Sequence, residues 1–309
     1  MPDPRKERQV LVAAVPLPGD AAQDVASRDL GSRLRVVEKA ARAVRRGKDE
    51  RAVHDLRVAS RRLDTALRLW APLLSDRPMR RARRETGRMR RAFTGLRDLE
   101  MLRTEWRRRL RDAPGELRVV LERMIARLDR RIAAASRKTV RRVARRRVAR
   151  IARTIERALA AGDPEVVSAP ALADRHVRAM RERALQALEH GFAEGSDEAL
   201  HAARIRVKKW RYAEECEVAL HRQRSSAAVV AELRTLQERL GRAHDLNVAG
   251  QACMRHARKT ERHAEPAAAR TLRKLAATLA REREAAVAEA QRLATTLRRP
   301  DPLAARTAD

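Results

Sequence analysis

From Ser27 onward apolar residues recur at three- and four-residue intervals, and glycine or proline interrupts them only at wide spacing. The interruptions fall at Gly47, Pro72, Pro78, Pro114–Gly115, Gly162–Pro164, Pro170, Gly191, Gly195 and Pro266. Between them the period predicts helices over about 27–46, 49–71, 77–93 and 95–112, then a long one over 116–160 with a bend near Ser136. A second series follows over about 172–190, 196–221, 225–240, 243–262 and 266–298. Residues 1–26 have no helical period and read as an irregular arm, 161–171 as a linker between helical halves 27–160 and 172–298, and 299–309 as a flexible tail. Glycine is scarce, at 11 of 309 residues, which disfavours a many-turned β architecture. The expectation is an all-α protein.

The two series are related. At an offset of 147 residues His54 falls on His201, Arg57 on Arg204, Val58 on Ile205, Arg61 on Lys208 and Arg62 on Lys209. The same offset places Asp98 on Asp245 and Leu99 on Leu246, with no gap needed. These matches fall on charged residues, where chance hydrophobic patterning does not produce them. Short connections favour antiparallel neighbours, so the fold expected is two helical bundles of about five helices each, related by pseudo-twofold symmetry.

On a helical wheel His54, Arg57, Arg61 and Arg68 occupy roughly one sixth of the circle, opposite Leu56, Ala59, Leu63, Ala66, Leu67 and Trp70. In the second series His201, Arg204, Lys208 and, at the edge, Arg211 repeat this stripe, backed by Val207, Trp210 and Ala213. Arg62 and Lys209 join the candidates through the matched offset. A ladder of guanidinium forks and ammonium groups suits an extended anion with closely spaced charges better than a single nucleotide. Two such ladders facing one another would line a basic groove, and bound anions would favour protonated imidazole at His54 and His201.

Composition sharpens this. Lys and Arg number 72 against 41 Asp and Glu, a formal net charge of +31, which suits a polyanionic partner. Only eight of the cations are Lys, a bias that GC-rich coding produces by itself, so position carries more weight than number. Six aromatic residues are too few for a stacking platform on single-stranded nucleic acid. Cys216 and Cys253 form no CxxC, so neither a disulfide scaffold nor a zinc site is suggested, and a cytoplasmic setting fits. No apolar run approaches the ~20 residues of a membrane span. The apolar stretch Val10–Leu17 is short, carries Pro16 and is followed by no clear cleavage site, which argues against a signal peptide.

Asp98 and Asp245 read as orienting groups for neighbouring cations, or as helix caps after the glycine breaks at Gly95 and Gly241. The densest charge run, Arg141–Arg150, has Val140, Val143, Val148, Ile151 and Ile155 on its buried side and reads as the solvated face of an amphipathic helix. No metal set, P-loop or catalytic carboxylate pair is found.

The segments Val53-His-Asp-Leu-Arg-Val-Ala-Ser-Arg-Arg-Leu63 and Leu200-His-Ala-Ala-Arg-Ile-Arg-Val-Lys-Lys-Trp-Arg-Tyr212 resemble the motifs of the CHAD family, the conserved histidine α-helical domains. Leu96-Arg-Asp-Leu99 and Leu240-Gly-Arg-Ala-His-Asp-Leu246 resemble the later elements of each half, so the resemblance covers about residues 27–298. It implies two helical bundles and the binding of inorganic polyphosphate in a central basic groove, often with association to polyphosphate granules. It does not extend to the triphosphate-tunnel domain that family members often carry. Glu282-Arg-Glu284 is followed by Ala285-Ala286, so the ExExK element of that enzyme is missing. The reading is therefore a non-enzymatic polyphosphate-binding module without cofactor. The alternatives are a helical nucleic-acid binder, supported by the net charge, and a phosphohistidine phosphotransfer module using His54 or His201.

Overall fold

The structure, a computed structural model, describes residues 21–46, 50–91, 93–142, 145–162, 168–221 and 224–297. Among them all regular structure is helical. The helices are α1 (Ala22–Arg46), α2 (Glu50–Leu69), α3 (Asp76–Arg91), α4 (Thr94–Leu110), α5 (Gly115–Arg142), α6 (Arg145–Ala160), α7 (Ala169–Glu194), α8 (Asp197–His221), α9 (Arg224–Arg262) and α10 (Pro266–Leu297), with a 3-10 turn at Ala71–Leu73. The arm up to residue 20, linker residues 163–167 and the tail from 298 lie outside the described residues.

Several boundaries differ from those the sequence pattern predicts. Helix α1 begins at Ala22, ahead of the predicted start at Ser27. Its first turn buries Ala22, Val25 and Ala26, and this packing draws the end of the supposed arm into the helix. Helix α5 is helical through Ser136. The predicted break at Gly241 is absent, and α9 runs unbroken from Arg224 to Arg262. One glycine inside a helix costs about 1 kcal/mol. Burial of Leu233, Leu236, Leu240, Ala243, Leu246 and Ala249 along the same helix outweighs it. Gly191 also fails to break its helix. A Cβ there would stand 3.2 Å from the Ala199 carbonyl oxygen and 3.3 Å from the Ala203 Cβ, so this glycine lets α7 and α8 approach closely. The turn comes instead at Gly195, whose φ of 67° suits glycine.

The chain forms two compact units, each drawn from segments of both sequence halves. The first comprises residues 1–100, 128–178 and 212–226; the second comprises 101–127, 179–211 and 227–309. In the first unit α1 packs along α2, and α3 packs against α2 and α6. Its core holds Leu30, Leu56, Leu63, Leu67, Trp70, Leu73, Ile151 and Ile155. Trp70 Nε1 donates to Asp29 Oδ2 at 2.9 Å, and Arg33 Nε donates to Asp29 Oδ1 at 2.8 Å. This satisfies polar groups that would otherwise be costly to bury. In the second unit Trp106, Leu121, Val207, Trp210, Leu236, Leu272 and Leu279 are buried. There Glu105 binds Arg242 at 2.6 Å and Arg108 and Arg109 at 2.9 Å each. Burial works against the Glu105 charge, but these hydrogen-bonded guanidiniums prevail and hold the carboxyl down at about 2.

Candidate functional site

The first cationic cluster is built on α2. Its inner face is sealed by Ala52, Leu56, Ala59, Leu63, Ala66 and Leu67, as the apolar stripe requires. His54, Arg57 and Arg61 therefore emerge on the opposite face, His54 exposed and the two arginines half-buried. The chain returns in α4, which brings Arg97, Asp98 and Glu100 to the same place. Arg57 is pulled down to about 10 by desolvation and by the charges of Arg61 and Arg97, against the opposing pull of Glu100 and Asp98. His54 is held below its ordinary value by desolvation and by Arg57, with Arg97 and Arg61 adding to the effect and Asp55 countering it.

The cluster continues along α2 toward α3. The buried carboxylate of Asp64 meets Arg68 at 3.3 Å, Arg90 at 3.3 Å and Arg83 at 3.7 Å. Three guanidiniums thus share one acid. Desolvation lowers both Arg83 and Arg90, and so do neighbouring cations, Arg68 for Arg83 and Arg61 with Arg68 for Arg90; Asp64 opposes. Crowding like charges at a partly desolvated surface is unfavourable by itself and becomes favourable when an anion sits among them.

The second cluster is built the same way from α8 and α9. Gly195 turns the chain, Ser196 Oγ accepts from the Ala199 amide at 3.1 Å, and Asp197 occupies the first turn, so α8 starts with a proper cap. Arg283 holds Asp197 at 2.6 Å. Ala199, Ala203, Val207 and Trp210 face inward, which leaves His201, Arg204, Lys208 and Lys209 half-buried. Helix α9 lays His244 against His201, with ring centroids 4.7 Å apart and planes inclined by 38°. Gly241, one turn earlier, leaves room for the Arg204 guanidinium, whose Nε would lie 3.6 Å from a Cβ at that position. His244 is pushed down to about 4 by desolvation, then by Arg204 and His201, with Lys208 adding and Asp197 opposing.

The structure therefore gathers His54, Arg57 and Arg61 in one cluster and His201, Arg204 and Lys208 in the other. Arg62 is placed differently. Its Nε lies 3.5 Å from Glu215 Oε2 of α8, and the two side chains are 12% and 6% exposed. Arg211 is buried and donates from Nε to Gln237 Oε1 at 3.1 Å. Asp245 lies within α9 and Asp98 lies past the first turn of α4, so neither caps a helix, which corrects the capping alternative. Asp98 stands within electrostatic reach of Arg57. Most side chains of the Arg141–Arg150 run, with Val140 and Val143, lie outside the described residues; Val148, Ile151 and Ile155 are buried as the period predicts.

Sequence reasoning missed Arg97 and His244. They stand 147 residues apart, each immediately before a matched aspartate, so the repeat contains the signal. Their different identities hid it. Arg83 and Arg90 were missed because nothing in the spacing of α3 ties them to Asp64. Among the described residues no helix is long and apolar enough to cross a membrane.

The model of the CHAD domain family matches residues 28–254. Among solved structures the chain is similar to the CHAD domain from the plant Ricinus communis, with a TM-score of 0.67 and 22% identity over 94% of this chain and 96% of that one. It is also similar to PptA from Streptomyces chartreusis, with a TM-score of 0.57 and 20% identity over 88% of this chain and 100% of that one. No curated protein matches. The helical fold, the twice-used His-and-arginine helix and a family match over most of its length together make this chain a member of the CHAD domain family.

Proposed function

We propose that the protein binds inorganic polyphosphate without chemical turnover, through His54, Arg57, Arg61 and Arg97 in one cluster and His201, Arg204, Lys208 and His244 in the other. The observation that carries this reading is the crowding around Arg57, where Arg61 and Arg97 oppose its charge. Inorganic polyphosphate presents a negative charge at every phosphorus, and guanidinium forks match pairs of its oxygens. In this reading Arg68, Arg83 and Arg90 extend the first contact surface. Arg62 and Arg211, held by Glu215 and Gln237, support the helices that carry the clusters. A protein of this kind would work in the cytoplasm, where polyphosphate granules are candidate destinations.

Calorimetric titration with long-chain polyphosphate, tripolyphosphate and duplex DNA at matched ionic strength tests the proposal. Long-chain polyphosphate should bind most tightly, with affinity rising with chain length as more phosphates are engaged. Equal affinity for duplex DNA would favour a nucleic-acid binder, and release of phosphate during incubation would show an enzyme.

A further inference from the structure

The two clusters are built alike, and Arg61 and its match Lys208 are both cations, but at one position the kind of charge differs. Arg97, beside His54 and Arg57, is a permanent cation. Its counterpart His244, beside His201 and Arg204, is a group whose charge depends on pH. We propose that the His201–His244 pair takes up protons when a polyanion binds, so that the second cluster, with two imidazoles, strengthens its hold as the pH falls more than the first, where His54 stands beside the lasting charge of Arg97.

The inference rests on the polyphosphate reading and deepens it. Its basis is geometric: two imidazoles 4.7 Å apart, with Arg204 and Lys208 beside them on α8. Asp197 is the acid facing His244 from α8, and it is already engaged by Arg283. On α9 itself Asp245 follows His244, and Arg242 is turned away to Glu105 of α4 and Glu282 of α10. In the free protein, then, desolvation first, and next the charges of Arg204, His201 and Lys208, keep the His244 ring neutral at neutral pH. A phosphate chain lying on Arg204 and Lys208 reverses the sign of that field. A neutral imidazole then gains a proton and becomes a donor on both nitrogens. Ionisable rings this close in space share one field, so the uptake belongs to the pair.

Binding that raises a group's proton affinity must itself be favoured by protons. If phosphate returns His244 to an ordinary histidine value of about 6.5, the affinity carried by this cluster rises about tenfold between pH 7.5 and 5.5. At pH 6 the uptake is about 0.7 proton for that ring.

Calorimetry with long-chain inorganic polyphosphate, run at pH 6 in two buffers of different ionisation enthalpy, counts the protons directly. The wild-type chain should take up more protons than His244→Arg, which places at 244 the residue found at 97. His244→Arg should bind as tightly as wild type or tighter at pH 7.5 and should gain less on acidification. Arg97→His should gain proton uptake. Should His244→Arg not fold, His244→Gln carries the same count, because an amide cannot accept the proton. The ligand's own titration is common to all variants and cancels. Equal uptake by wild type and the folded 244 variant would overturn the inference while leaving polyphosphate binding intact. Absence of wild-type binding at both pH values would instead overturn the polyphosphate reading, and this inference with it.

Discussion

Arg62 of α2 and Glu215 of α8 face each other at 3.5 Å, with little of either side chain reaching solvent. Removing Arg62 takes away one of the cations that compensate the buried Glu215 carboxylate, Arg33 being another within electrostatic reach, and weakening a buried pair from one side costs more than the pair contributes. Arg62→Ala should therefore destabilise the fold by about 2–3 kcal/mol, measured by urea unfolding, and change polyphosphate affinity less than Arg57→Ala does. The reverse ranking would place Arg62 on the ligand.

Affinity should be distributed over both clusters. A long polyanion can shift its register, so Arg57→Ala or Arg204→Ala alone should weaken binding by less than tenfold. Combining Arg57, Arg61, Arg204 and Lys208 to Ala should nearly abolish it and reduce the slope of log affinity against log salt by about 3. The control removes four exposed arginines of α3 and α6, Arg81, Arg84, Arg153 and Arg157. Equal losses from the two quadruple variants would mean that bulk charge governs binding.

Asp98 should act on its neighbours and not on the ligand. It is exposed and favours the charge of Arg57. Asp98→Asn should change affinity by no more than about threefold, whereas Arg61→Glu should cost more than tenfold. A large loss from Asp98→Asn with unchanged thermal stability would point to a cation bridging carboxylate and phosphate.

Acid should reveal Glu105. Its carboxyl is depressed to about 2 by Arg108, Arg242 and Arg109 despite burial. A carboxylate whose folded value is depressed stabilises above its unfolded value near 4.5 and loses that contribution as pH falls toward 2. The contribution is about 3 kcal/mol. Glu105→Gln should lower stability at pH 7 and flatten the pH dependence of unfolding between about 4.5 and 2. A variant as acid-sensitive as wild type would show that other carboxylates dominate.

The cysteines should be inert. Burial pushes the Cys216 thiol up to about 11 and that of Cys253 up to about 12. Since the thiolate is the reactive form, neither should be alkylated at pH 8 in the native protein, and both should react in guanidinium. Mass spectrometry of the modified chain distinguishes the cases.

Helix-forming stretches, the inward faces of α2 and α8 and six of the cluster residues were legible in the sequence because each follows from local periodicity or from the repeat. Leu56, Leu63 and Leu67 turn inward as their spacing demands, and so do Val207 and Trp210. Boundaries were less legible where packing overrides local preference. Gly241 and Gly191 looked like punctuation, yet both sit inside helices, one beside Arg204 and the other at a close helix approach. The fates of Arg62 and Arg211 were invisible for a related reason. Their partners, Glu215 and Gln237, are remote in sequence, and no periodicity records which cation an acid will meet. His244 escaped notice because the repeat preserves its place but not its side chain.

The sharing of Asp64 among Arg68, Arg83 and Arg90 makes folding and counterion supply one problem. A single carboxylate cannot neutralise three guanidiniums, so this cluster folds with an excess of positive charge that anions from the surrounding medium offset. Multivalent anions that settle there bind the native chain, with its gathered cations, more tightly than the open one, and by mass action they stabilise it with the logarithm of their concentration. The melting temperature should accordingly respond to the identity of the buffer anion as well as to ionic strength, rising from chloride to phosphate to oligophosphate. On the proposed reading, the bound polyanion is in effect a missing part of the fold's own electrolyte.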